Sequence, residues 1–214
     1  MTSSLVGSEM CIRDRGNTLN VKKALDYLAI DNQLSADPAV ILAAAGLILP
    51  GVGAFKTAMS ALTQRDLVPV IRQFAATGKP LLGICLGMQL LFDRSFEFGE
   101  TAGLGLIPGT VVAIPPRAGF PTPHMGWNTN TITQPDPFAA GFANQATYFV
   151  HSYYVQTQPT YTLAITDYGQ PLTSIVRRQN ILGTQFHPEK SGAVGLAGLQ
   201  RFKEMTTDAT LSSN

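Results

Sequence analysis

The sequence predicts an α/β fold with a mostly parallel central sheet that gains an antiparallel extension in its second half. Three observations carry this. Up to about residue 98, short apolar runs alternate with amphipathic stretches of helical period, the pattern of right-handed crossovers between parallel strands. Beyond that point short strand-like runs are separated by turns, which suits antiparallel pairing. Composition agrees: 45% hydrophobic against 14% charged residues, over 214 residues, is enough apolar material for the core of one domain.

The elements follow in order. Val21, Ala24, Leu25 and Leu28 recur at helical spacing, with Lys22, Lys23 and Asp26 on the other side. Residues 32–36 read as a short strand, and Asp37-Pro38 opens a brief helix to Ala44. Leu47-Ile48-Leu49 is a buried strand stopped by Pro50-Gly51-Val52-Gly53, and residues 54–62 and 66–77 read as helices. Gly78-Lys79-Pro80 leads into the strand Leu81-Leu82, and Met88 to Phe92 is helix-like. The second half supplies strands at 111–114, 147–155, 163–165, 174–176 and 181–186, then a closing helix over 195–205. Residues 1–15 show neither period, and no strand is visible before the first helix. The segment is therefore set apart as aberrant or disordered, foreign sequence standing where a first strand was lost. The expected division is residues 1–15, a domain over 16–206, and a C-terminal tail over 207–214.

Charge and cysteine content exclude several function classes. Fifteen basic and 14 acidic residues give a net charge of +1 without a basic run, which argues against a nucleic-acid partner and a polybasic membrane anchor. The longest apolar stretch, 39–49, is far short of the roughly 20 residues of a membrane span. No secretory signal is visible, so a cytoplasmic location is expected. A disulfide between Cys11 and Cys85 would consume the residue in the most informative motif, so none is expected.

That motif is Gly83-Ile84-Cys85-Leu86-Gly87, set between an apolar strand and a helix. Strand, sharp turn and helix with a cysteine at the tip form the thiol version of the nucleophile elbow, the glycines permitting the tight turn. The position also favours negative charge on sulfur. A lone cysteine is more often a small buried hydrophobe, but this flanking pattern favours the nucleophile. Downstream, Gln185-Phe186-His187-Pro188-Glu189-Lys190 supplies an imidazole and a carboxylate two positions apart. His187 would move the thiol proton and Glu189 would hold the ring. The Pro50-to-Gly53 turn can aim backbone N–H groups at a developing oxyanion, together with that of Leu86. Trp127, in Pro123-His124-Met125-Gly126-Trp127-Asn128, is either core or an interface anchor on a loop. Ser152 and Tyr153 either bind a polar substrate or merely alternate across a sheet. The composite reading is a cysteine-dependent acyl-transfer enzyme.

These residues resemble the class I (triad) glutamine amidotransferases, with their three-layer, flavodoxin-like fold. The Pro-Gly-Val-Gly-Ala-Phe turn (50–55) and the Pro-His-Met-Gly-Trp-Asn run (123–128) are most similar to the glutaminase subunits of imidazole glycerol phosphate synthases. The resemblance implies a Cys85-His187-Glu189 triad that hydrolyses L-glutamine. It implies an oxyanion hole around Gly51, Val52, Gly53 and Leu86, and glutamine contacts at Gln89, Glu97, Ser152 and Tyr153. A (β/α)₈ cyclase subunit would dock at Trp127, Asn128 and Lys190 and receive the ammonia, with the Pro50-to-Gly53 turn as a switch. No cofactor and no metal are implied. The alternatives are a glutaminase subunit for anthranilate or GMP synthesis, a silent regulatory subunit if the first strand is missing, and a partnerless hydrolase of γ-glutamyl peptides.

Overall fold

In the computed structural model, residues 3–5 and 15–211 are described. The first half runs β1 (Ser3–Leu5), α1 (Arg15–Tyr27), β2 (Asn32–Leu34), α2 (Pro38–Ala43), β3 (Gly46–Gly51), α3 (Phe55–Gln64), α4 (Leu67–Ala76), β4 (Leu81–Cys85) and α5 (Leu86–Leu90). The second half adds β5 (Phe92–Ser95), β6 (Thr101–Ala102), β7 (Ile107–Ala113), β8 (His124–Ile132), α6 (Pro137–Ala140), β9 (Ala146–His151) and β10 (Tyr153–Gln156). It closes with β11 (Thr162–Asp167), β12 (Pro171–Arg178), β13 (Ile181–Thr184), a 3₁₀ turn at Pro188–Lys190 and α7 (Gly192–Leu211).

The main sheet has the order β2-β1-β3-β4-β13-β12-β11-β8-β9. Its first five strands pair in parallel and the pairs from β13 onward are antiparallel. A smaller sheet, β10-β7-β5-β6, stands beside it. Alternation along the central strands divides the core in two. Leu47, Leu49, Leu81, Val176 and Ile181 face α2, α3 and α4. Ile48, Leu82, Ile84, Ile175 and Leu182 face α1, α6 and α7. The period-2 geometry of a strand gives one sheet two apolar faces, and each needs its own layer of helices. The result is the expected three-layer α/β architecture with its antiparallel extension.

Several expectations change. Ser3–Leu5 forms a strand between β2 and β3, in register Ser3↔Asn32 and Ser3↔Gly46, so a strand does precede α1. A central slot asks chiefly for backbone donors and acceptors on both sides, which explains why no side-chain pattern announced it. Residues 6–14, with Cys11, lie outside the described residues. Residues 124–128 belong to a long strand, β8, rather than a loop. The stretch 147–155 is two strands in different sheets, broken at Ser152. Phe92 begins β5 instead of ending a helix, and α7 continues to Leu211, into the stretch set apart as a tail.

Candidate active site

Cys85 ends β4 and immediately precedes α5, with φ 55° and ψ −112°, outside the ordinary regions for a residue with a side chain. The surroundings enforce this strained turn. A Cβ on Gly87 would lie 1.7 Å from the Leu49 carbonyl oxygen, and one on Gly83 would lie 2.7 Å from the Gly87 carbonyl. The motif's glycines thus serve close packing of β3, β4 and α5, while the unusual φ is carried by the cysteine itself. Strain of this kind is stored where the nearby structure over-determines it.

Register sets the neighbours of the sulfur. Gly51 pairs with Cys85 on one side, and Thr184 pairs with Ile84 on the other. The thiol therefore stands at the carboxyl end of the parallel strands, where open α/β sheets build their sites. It faces a cleft of about 470 Å³ lined by Val52, Gly53, Leu86, Gln89, Glu97, Phe98, Pro123, Val150, His151, Ser152 and Tyr153.

His187 and Glu189 arrive from the end of β13 and the 3₁₀ turn. The ring Nδ1 lies 2.7 Å from Glu189 Oε1, and both side chains are fully buried. Ser191 locks this turn: its hydroxyl donates to the His187 carbonyl at 2.6 Å and accepts from the Tyr148 N–H at 3.0 Å. Burial works against a charged ring at His187, but the nearby Cys85 sulfur and then Glu189 outweigh it. The imidazole is raised to about 10 and stays protonated at neutral pH. Its Nε2 makes no hydrogen bond among the described residues, which leaves that nitrogen available to a reacting group.

The structure brings most of the expected site residues together. Val52, Gly53, Leu86, Gln89, Glu97, Ser152 and Tyr153 all line the thiol's cleft. Gly51 sits behind it, in register with Cys85. Gly53, at the mouth, has φ 92°, which favours glycine. Glu97 also accepts from the Phe55 N–H at 2.6 Å, tying its loop to the start of α3. Trp127, Asn128 and Lys190 lie outside the cleft. Trp127 is 56% exposed and packs edge-on against Tyr148, whose other neighbour is the Lys190 ammonium, 6.0 Å from the ring centroid.

Sequence reasoning missed three participants. Gln185 is fully buried and directs its Nε2 at the Cys85 sulfur, 3.7 Å away. Its Oε1 accepts from Gln89 Nε2 at 3.0 Å. The available signal was an amide directly after the β13 run, two residues before His187. His151 forms part of the cleft wall, and Phe98, 84% exposed, covers Tyr153 edge-on at 6.4 Å. Among the described residues no cluster of His, Cys, Asp or Glu could hold a metal ion.

A buried thiol with a protonated imidazole and an orienting carboxylate on this fold defines a triad amidotransferase, and the wider comparison agrees. The family model for class-I glutamine amidotransferases matches residues 11–202, and the chain belongs to that family. It is 79% identical over 199 residues to the imidazole glycerol phosphate synthase subunit HisH of Lacticaseibacillus casei, covering 93% of this chain and 96% of the relative. Identity to the same subunit from Streptococcus sanguinis is 54% over 197 residues, 92% and 95% of the two chains. Among solved structures, a glutamine amidotransferase superposes with TM-score 0.73 at 19% identity, over 96% of this chain and 98% of that one. The PurLQS structure from Thermotoga maritima gives TM-score 0.71 at 17% identity, over 95% and 97%, and likewise shares the fold.

Proposed function

We propose that this chain is the glutaminase subunit of an imidazole glycerol phosphate synthase in histidine biosynthesis. It releases ammonia from glutamine for a (β/α)₈ cyclase subunit. The observation that carries the chemistry is geometric: Cys85 stands in the turn between β4 and α5, and the buried His187 ring is held through Nδ1 by Glu189 at 2.7 Å, its Nε2 otherwise unbonded among the described residues. Cys85 and His187 share one transferable proton, which the ring can carry while the sulfur attacks.

The steps follow from that pairing. The Cys85 sulfur attacks the side-chain amide carbon of glutamine, and the carbonyl oxygen becomes an oxyanion facing the backbone N–H groups of Leu86 and the Gly51-Val52-Gly53 turn. His187 gives its Nε2 proton to the amide nitrogen, the C–N bond breaks, and ammonia leaves. A γ-glutamyl thioester remains. The now neutral His187 takes a proton from water, whose oxygen attacks the thioester. The C–S bond then breaks, sulfur and ring again share one proton, and glutamate departs. Glu189 holds the ring by Nδ1 throughout.

Gln89, Glu97, Ser152 and Tyr153 are proposed to hold the glutamine. The geometry refines the part of Gln89: both N–H bonds of its Nε2 are spent, on the Tyr153 carbonyl at 2.9 Å and Gln185 Oε1 at 3.0 Å. Its own carbonyl is what remains for the ligand, as acceptor from an N–H. Trp127, Asn128 and Lys190 form the proposed cyclase-facing surface. No helix among the described residues is long and apolar enough to cross a membrane. A cytoplasmic location goes with the reading, since thiols stay reduced there.

The deciding experiment is synthase activity with the cyclase subunit present. Cys85→Ala is expected to abolish glutamine-dependent synthesis and to leave ammonia-dependent synthesis intact. Loss of neither would remove Cys85 from the role of nucleophile. A glutamine-mimicking diazo-ketone is expected to label Cys85 and spare Cys11.

A further inference from the structure

A chain of hydrogen bonds runs from strand β8 to the cleft, and it contains one imidazole whose proton has two destinations. At the inner end, the Tyr153 carbonyl accepts from Gln89 Nε2 at 2.9 Å and contacts His151 Nδ1 at 2.8 Å. A carbonyl only accepts, so His151 Nδ1 carries the hydrogen. Burial drives His151 down to about 3, so the ring is neutral and its Nε2 is a bare acceptor. That Nε2 lies 3.1 Å from His124 Nδ1. At the outer end, His124 Nε2 lies 2.8 Å from the Asn128 carbonyl oxygen, while the Asn128 amide N–H donates to the Asp167 carbonyl at 3.0 Å.

His124 therefore stands between two acceptors, His151 Nε2 and Asn128 Oδ1. It is fully buried and sandwiched between the rings of Phe149 (4.8 Å) and Tyr168 (3.9 Å). Burial lowers its pKa, opposed by the bond to Asn128, so near neutrality it holds a single N–H. With the hydrogen on Nδ1 the inner joint closes and the outer one pairs two acceptors. With it on Nε2 the reverse holds. Turning the Asn128 amide over only moves the mismatch to Asp167, whose main-chain oxygen would then face another oxygen. An unmade joint in a buried site is expensive, so the two tautomers are distinct states rather than a blur.

We propose that His124 is a positioning residue for glutamine binding: its inward tautomer, donating to His151, is what holds the His151–Tyr153 wall in the form that presents Gln89 to the ligand. This rests on the reading of the cleft as a glutamine site. The outward tautomer leaves His151 Nε2 unpaired, so the His151 ring is held only by its bond to the Tyr153 carbonyl while the β8–β9 and β10–β7 ladders keep the backbone in place. The Tyr153 carbonyl matters because it is the shared acceptor. Held by two donors, it fixes the Gln89 amide, and Gln89 in turn orients Gln185 toward the sulfur.

Two substitutions of similar polarity separate this from simple packing. In His124→Asn the side-chain amide can put an N–H at the place of Nδ1, keeping the inward donor. In His124→Gln the amide is carried out to the place of Nε2, and the inward donor is lost. With the cyclase subunit present, His124→Asn is expected to keep the KM for glutamine within about threefold of the parent, whereas His124→Gln raises it about tenfold with kcat changed less than about threefold. Packing alone gives the opposite order, because Asn removes more volume. Equal KM values in the two folded variants, or Asn worse than Gln, overturn the proposal.

Nitrogen-15 spectra of the imidazoles in the full chain give the independent readout. His151 is expected as the Nδ1–H tautomer, with its Nε2 signal shifted in His124→Gln and unshifted in His124→Asn. A His151 ring protonated at Nε2 instead refutes the chain. Should the parent show no glutamine turnover at all, the proposed function falls, while these spectra still decide the positioning chain.

Discussion

Cys85 and His187 show how far two side chains depend on their burial. Water exclusion by itself disfavours a charged imidazole, yet His187 is raised to about 10 because the sulfur and Glu189 act on it within a buried site. The sign of the linkage follows. A folded-state pKa above the unfolded value of about 6.5 makes the charged ring's contribution to stability complete below that pH. The contribution fades as pH rises through about 10. Glu189→Gln removes the negative charge from Nδ1 and draws the upper end of that window toward neutrality. Two measurements check this. The alkaline fall in urea midpoint is expected to begin at lower pH in the variant. The kcat for glutamine is expected to drop by about 10² to 10⁴, by analogy with losing the acid of a Ser-His-Asp triad. An unchanged alkaline fall in urea midpoint together with an unchanged kcat would mean that Glu189 does not hold the ring charged.

Among elements, the junction of β3, β4 and α5 matters most, because it aims the thiol. Gly87→Ala would drive a methyl to within 1.7 Å of the Leu49 carbonyl oxygen, a backbone atom that cannot step aside. The variant is expected to lose several kcal/mol, about the upper range for a single substitution, read as a large fall in Tm or failure to fold. Gly78→Ala serves as the control. Its position is open, with nothing within 4 Å of a Cβ, although φ 79° makes it strained, and it is expected to cost only about 1 kcal/mol. A loss at Gly87 no larger than at Gly78 would show that the close approach of β3 is not what this glycine serves. The elbow itself was legible from Gly83-Ile84-Cys85-Leu86-Gly87 because strand, turn and helix are contiguous, and so were the crossovers of the parallel half. The function of its glycines was not, since contact with β3 is a tertiary fact. Strand β8 was hidden for a related reason: burial alternates along it, but the exposed positions carry Met125 and Trp127 and the inward ones His124, Gly126, Asn128 and Asn130, the reverse of an apolar-in pattern. Its pairing with β9 makes it a strand all the same. Gln185, His151 and His124 acquire meaning only through partners up to a hundred positions away.

On the scale of the whole molecule, the thiol and the proposed cyclase-facing surface lie on connected parts of one sheet system. Trp127 and Tyr148 are opposite each other in the β8–β9 ladder, and the 3₁₀ turn that carries Glu189 also carries Lys190, placed over the Tyr148 ring. The patch thus has the composition of an interface centre: a large exposed aromatic at 56%, Met125 at 61%, and a cation against a ring. It carries no chemistry of its own, so its loss is expected to separate docking from the intrinsic reactivity of the cleft. Trp127→Ala is expected to weaken binding of the cyclase subunit by about 2 kcal/mol, roughly thirtyfold in Kd, as for a hot-spot aromatic. Calorimetric titration of the two subunits measures it. Labelling of Cys85 by the diazo-ketone in the isolated chain is expected to proceed at the parent's rate, since Trp127 lines no part of the thiol's cleft. Combining Trp127→Ala with Lys190→Ala is expected to cost less than the sum of the two, because both side chains contact Tyr148. If cyclase affinity is unaffected by either change, the docking surface lies elsewhere on the molecule. If labelling falls together with affinity, the patch supports the cleft directly, and docking and reactivity cannot be treated as separable.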